Sequence, residues 1–153
     1  MAVKVVILSI KQQYAEAILS GKKTCELRKG RFPKGVRLAI IYASNHEGRI
    51  TGWFTVKREV VGTPAEIWHQ FSNMAGISKE DFDNYYEGAD SAVCLVVGEK
   101  QRLEKPIDPT EELKGFIPPQ SFTYPRKEHL PILTSRIDAL YRESLRRYSD
   151  PEP

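Results

Sequence analysis

Gly21-Lys22-Lys23-Thr24-Cys25-Glu26-Leu27-Arg28 places a glycine directly before an alternating run that carries a lysine, a carboxylate and an arginine. Upstream, Lys11 to Ser20 puts Tyr14 and Ile18, and Ala15 and Leu19, at i, i+4 on one apolar stripe, which predicts a helix. Gly21 suits the left-handed position just past its end. From Thr24 to Arg28 the period switches to two, so Cys25 and Leu27 share one face of a strand and Glu26 and Arg28 the other. If the apolar pair faces a core, the charged pair faces out. Lys23 lies in the turn, where strand parity does not fix its direction.

Working outward, Val3 to Ser9 is a nearly continuous apolar run, expected as a central strand buried on both faces. Val36 to Ala43 and Arg49 to Val61 read as further strands, separated by a polar turn. Thr63-Pro64-Ala65-Glu66 is a capping box opening a helix to about Phe71, and Ser78-Lys79-Glu80-Asp81 opens a second that Gly88 closes. Ser91 to Gly98 predicts another buried strand, ending near Arg102. Pro118 and Pro119 forbid a regular central strand before Gln120. Ile132 to Tyr148 sets Leu133, Ile137, Leu140, Tyr141 and Leu145 opposite Arg136, Arg142 and Arg146, an amphipathic helix with a frayed tail after it. The order predicts an α+β fold with a small, mostly antiparallel sheet curled toward a barrel.

At 153 residues, 41% hydrophobic and 28% charged, the chain suits one soluble globular domain with a tail. The opening apolar run is too short for a membrane span and lacks a cleavage site, so a cytoplasmic protein is expected. Cys25 and Cys94 are read as separate buried hydrophobes, since a disulfide is unexpected in the cytoplasm. His46, His69 and His129 have no metal-ligand spacing, and neither a metal nor a cofactor is expected.

The net charge of +3 is unevenly placed. Lys22 to Arg37 holds seven cations against Glu26 alone, and Lys79 to Asp90 holds five anions against Lys79. A basic stretch of this kind fits a face that meets a polyanion.

Gly21, Lys23, Glu26 and Arg28 resemble the G-x-K-x-x-E-x-R signature of the ASCH domain, a branch of the PUA-like superfamily. The resemblance extends through Ile10-Lys11-Gln12-Gln13-Tyr14, the Leu38 to Ser44 strand, the capping-box helix and Pro118-Pro119-Gln120-Ser121-Phe122. It implies a PUA-like β-barrel, mixed or mostly antiparallel, over residues 1–125. The C-terminal helix and tail, residues 126–153, are an addition to it. It further implies a cleft carrying the signature residues, and RNA binding as a common role. Some family members resemble nucleases, and others remove an acetyl group from N4-acetylcytidine. The deacetylating members carry a threonine where this chain has Glu26.

The expected function is therefore binding of RNA, another single-stranded nucleic acid or a nucleobase-like molecule. Lys11, Lys23, Glu26, Arg28, Tyr42, Ser44, Gln120, Ser121 and Tyr124 are the expected binding residues. The alternative is a metal-independent hydrolase, an N4-acetylcytidine-type amidohydrolase or a ribonuclease, with Lys23 and Glu26 as its chemical groups. Binding is favoured because a lysine base must be neutral, and Glu26 would raise its pKa unless Arg28 absorbs the carboxylate's charge. Tyr85 and Tyr86, with Trp53 and Trp68, are assigned to the core or to half-buried helix faces. A third class, a docking domain using the C-terminal helix, turns on whether Leu133, Ile137, Tyr141 and Leu145 bury against their own barrel.

Overall fold

A computed structural model describes residues 4–30, 32–45 and 48–137. In chain order it runs β1 (Lys4–Lys11), α1 (Gln12–Leu19), β2 (Cys25–Lys29), β3 (Val36–Ser44), β4 (Arg49–Gly62), α2 (Pro64–Phe71) and α3 (Lys79–Tyr85). Then come β5 (Ala92–Ile107), α4 (Pro109–Glu112), β6 (Phe122–Thr123), a 3-10 turn at Lys127–His129 and α5 (Leu130–Arg136). The six strands form one mixed sheet in the order β2-β5-β4-β3-β1-β6, in which β1 and β3 are parallel and the other pairings antiparallel. Several register shifts interrupt the long β4–β5 ladder. Bulges of this kind bend strands and increase their twist, and the sheet curls into a half-barrel.

Period two explains why β1 is apolar throughout. Val6, Leu8 and Ile10 face one cluster inside the curl, with Ala39 and Ile41 of β3 and Ala15 and Ile18 of α1. Val5 and Ile7 face a second cluster with Leu38, Ile40 and Trp53. Leu133 and Ile137 close that second cluster and are 1% and 3% exposed, so this part of the C-terminal segment packs on its own sheet. Of the helix expected from Ile132 to Tyr148, the described part is α5, which spans Leu130–Arg136, and Ile137 after it has extended backbone. Residues 138–148, with Tyr141 and Leu145 among them, lie outside the described residues.

Gly21 has φ +87°, the left-handed stop read from its position after the helix. The capping box is present in both directions: Glu66 N–H donates to Thr63 Oγ1 at 3.1 Å, and Thr63 N–H to Glu66 Oε1 at 3.0 Å. β5 runs past the expected end near Arg102 as far as Ile107, where it pairs with Ile50.

The reading of the two cysteines is corrected. Register places Cys25 opposite Val96 and Cys94 opposite Leu27, so the two are diagonal neighbours on one face of the β2–β5 pair. They are joined as a disulfide, with Cα atoms 6.0 Å apart, under the α2–α3 cover.

Candidate functional site

The charged pair of β2 does not face solvent. Glu26 lies opposite Leu95 and Arg28 opposite Val93, and both partners belong to the cluster inside the curl. The other face of β2 is covered by Ile67, Phe71 and Phe82 of α2 and α3. Glu26 and Arg28 are each 6% exposed and Lys23 only 3%. They sit where the sheet stays open, between the free edge of β2 and the β1–β6 edge.

Arg28 spans that opening. Its Nε and Nη2 donate to Glu26 Oε2 at 3.0 and 2.7 Å. Nη1 reaches Ser121 O at 3.1 Å and Ser121 Oγ at 3.2 Å, and Nη2 also reaches Ser9 O at 3.0 Å. A guanidinium has five N–H donors, and each has a protein acceptor here. Arg28 therefore ties β2 to β1 and to the approach to β6, and it has no donor left for a ligand. Both bonds from Arg28 go to Oε2, so Glu26 Oε1 has no hydrogen-bond partner among the described residues.

Lys23 is held from above. Its Nζ donates to Ala75 O and lies 5.2 Å from the centroid of the Tyr14 ring. Burial lowers its pKa below the ordinary lysine value; Glu26 raises it and Arg28 lowers it, both by smaller amounts. Gly76 packs over its stem with φ +60°, and a Cβ there would meet Lys23 Cβ at 3.0 Å and Cγ at 3.1 Å. Gly76→Ala is expected to cost about 1–2 kcal/mol through the left-handed backbone alone. A melting temperature equal to that of the native protein would count against this packing.

These groups floor a cleft of about 930 Å³, at the upper end of the roughly 300–1,000 Å³ usual for ligand sites. Lys11, Lys23, Glu26, Arg28, Ser44, Gln120 and Ser121 of the expected set all line it. Tyr42 and Tyr124 do not. Tyr42 shares parity with Leu38 and Ile40, so its ring turns to the second cluster and packs on Phe116 at 5.5 Å. Tyr124 packs against both the first and the second cluster, with its ring 5.8 Å from Phe122.

The sequence reading missed one wall. Asp81, Asn84 and Tyr85 of α3 line the cleft together with Gln13 and Tyr14. Tyr85 is 38% exposed, with Lys29 Nζ 4.8 Å from its ring centroid. Burial raises its pKa, so it stays a phenol. Its neighbour Tyr86 is buried, with its pKa pushed up, and its hydroxyl donates to Arg28 O at 2.9 Å. The i, i+3, i+4 spacing of Asp81, Asn84 and Tyr85 shows that they share a helix face, but not that the face borders a cleft. Among the described residues no group of three or more His, Cys, Asp and Glu side chains is placed to hold a metal ion. No helix among them is long and apolar enough to cross a membrane.

A curled six-stranded sheet flanked by helices, with a buried lysine, glutamate and arginine at its opening, defines a PUA-like fold. Within that class the chain belongs to the ASCH domain family, whose model matches residues 8–106. It is 32% identical over 143 residues to a Zymomonas mobilis protein named an ASCH domain-containing ribonuclease, covering 88% of this chain and 95% of that one. The crystal structure of ASCH from Zymomonas mobilis is similar at TM-score 0.79 and 30% identity, over 86% of this chain and 94% of that chain. The N-terminal domain of Staphylothermus marinus McrB shares the fold at TM-score 0.58 and 13% identity, over 89% of this chain and 96% of that one.

Proposed function

We propose that this chain binds single-stranded RNA in the cleft and cleaves it, with Lys23 as the proton acceptor. The observation that carries the reading is the division of labour around Glu26. Arg28 pairs with the carboxylate through two hydrogen bonds, and Lys23 is buried enough for its pKa to fall. This is the condition under which a lysine beside a carboxylate can serve as a base. The name of the Zymomonas mobilis relative supports the same reading.

In the proposed step neutral Lys23 takes the proton of a ribose 2′-hydroxyl as that oxygen attacks the adjacent phosphorus. The bond from phosphorus to the 5′ oxygen breaks, and the departing oxygen takes a proton from solvent in the open cleft. The Lys23 ammonium then returns its proton to solvent. The products are a 2′,3′-cyclic phosphate and a 5′-hydroxyl. Lys11 and Lys29, exposed at the cleft, supply charge for the flanking phosphates.

Labelled single-stranded RNA is the test. Cleavage should give cyclic-phosphate ends, and a 2′-O-methyl group at the cut position should block it. The rate should rise about tenfold per pH unit below the Lys23 pKa and level off above it, because only neutral lysine accepts the proton. Binding should weaken as salt increases. Intact RNA, equal cutting of DNA, or products with 5′-phosphates would each overturn the mechanism. Acetate release from N4-acetylcytidine without RNA cleavage would move the activity to the amidohydrolase class.

A further inference from the structure

Resting on the reading of the cleft as an RNA site, we propose that the α3 wall is a base-reading subsite. Tyr85 stacks a nucleobase there, and Asp81 with Asn84 selects a base carrying an exocyclic amine on its pairing edge.

Three observations converge on this wall. The Tyr85 ring meets Tyr86 edge-on, with centroids 4.7 Å apart, and the group over its face is the Lys29 ammonium on a flexible stem. A ring face held by a mobile cation is open to a planar ligand, and an incoming base can displace that cation toward its own phosphate. Second, the side chains of Asp81 and Asn84 have no hydrogen-bond partner among the described residues, and both are exposed at the cleft. Asp83, by contrast, pairs with Lys79 at 2.6 Å. Third, the spacing of Asp81, Asn84 and Tyr85 puts stacking ring, amide and carboxylate on one helix face.

The chemistry of these groups picks the base. A carboxylate only accepts hydrogen bonds, so it pairs with an amino group such as cytosine N4 and is repelled by a carbonyl such as uracil O4. The amide of Asn84 both donates and accepts, and it completes either edge. Discrimination therefore falls on Asp81.

Decamers of 2′-O-methylcytidine and 2′-O-methyluridine separate this inference from the cleavage reading, since 2′-oxygen attack cannot cut them. By fluorescence anisotropy the native chain should bind the cytidine decamer about tenfold more tightly, the effect of one matched base edge. Asp81→Asn, an exposed change, should bring the two affinities within about twofold while keeping both complexes, because an amide serves either edge. Tyr85→Ala should weaken both by about tenfold and Tyr85→Phe by little, as loss and retention of stacking require. Equal binding of both decamers by the native chain, or a preference that survives Asp81→Asn, overturns the base-reading and leaves RNA binding standing. Unchanged affinities in Tyr85→Ala overturn the stacking. Failure to bind either decamer, by a native chain that also leaves RNA uncut, overturns this inference and the functional reading together.

Discussion

Lys23→Met is expected to lower the RNA cleavage rate by about 10²–10⁴-fold, the usual contribution of a positioned acid or base, without destabilising the protein. The two effects separate because the lysine is costly where it sits. Its side chain is 3% exposed, and burial is the leading reason that its pKa falls. Taking an ammonium out of water costs several kcal/mol. Leaving the Ala75 carbonyl without its donor costs about 1–3 kcal/mol. The first term is the larger, so the variant should melt at the native temperature or above it.

The pH dependence follows from the same shift. The folded pKa of Lys23 lies below the unfolded value of about 10.4. The folded state therefore binds fewer protons between those two values, and stability rises with pH across that window. Any advantage of Lys23→Met should be largest below the folded pKa and disappear as the pH passes the unfolded one. Lys23→Arg supplies the second readout: it keeps the charge but cannot deprotonate in use. Full cleavage by the arginine variant would show that Lys23 acts only as a fixed cation.

The local elements were readable because their causes are local. Gly21 after an i, i+4 stripe and the Thr63 to Glu66 capping box need no tertiary information, and the structure has both. The two-sided apolar run of β1 also announced its own burial. Parity correctly separated Cys25 and Leu27 from Glu26 and Arg28. It could not say that the second face turns inward, because that depends on α2 and α3 covering the first. The disulfide was invisible for a related reason: its cysteines are 69 positions apart, and only the β2–β5 register makes them neighbours.

For the cleft, the residues that the sequence placed there came mostly from runs near one strand end or one loop. Tyr42 failed on parity, since the face that holds Leu38 and Ile40 turns away from the opening. Tyr85 sits on a half-buried helix face, as its spacing predicts, but only the fold shows that this face borders the cleft beside Lys29. The preference for binding over catalysis also rested on geometry that only the fold supplies. Glu26 opposes a neutral Lys23 only to the extent that its charge is free, and Arg28 occupies one carboxylate oxygen twice.

Arg28 is where the largest loss of stability is expected. Arg28→Met leaves the Glu26 carboxylate buried without its cation and removes the donors to Ser9 O and to both oxygens of Ser121. Breaking a buried pair from one side costs about 3–5 kcal/mol. At about 2–4 °C per kcal/mol for a chain of this size, the melting temperature should fall on the order of 10 °C. Adding Glu26→Gln should restore part of that loss, because it removes the stranded charge; a double-mutant cycle then gives the coupling. What it cannot restore is the span. Ser9 and Ser121 lie across the open side of the sheet from β2, and no shorter or unforked side chain reaches both while holding Glu26. Arg28→Lys should accordingly lose most of what Arg28→Met loses, since one ammonium cannot reproduce five donors in a plane. If Arg28→Met melts with the native protein, the opening is held by something else, and Glu26 is not under Arg28's control. The low pKa of Lys23 would then rest on burial alone.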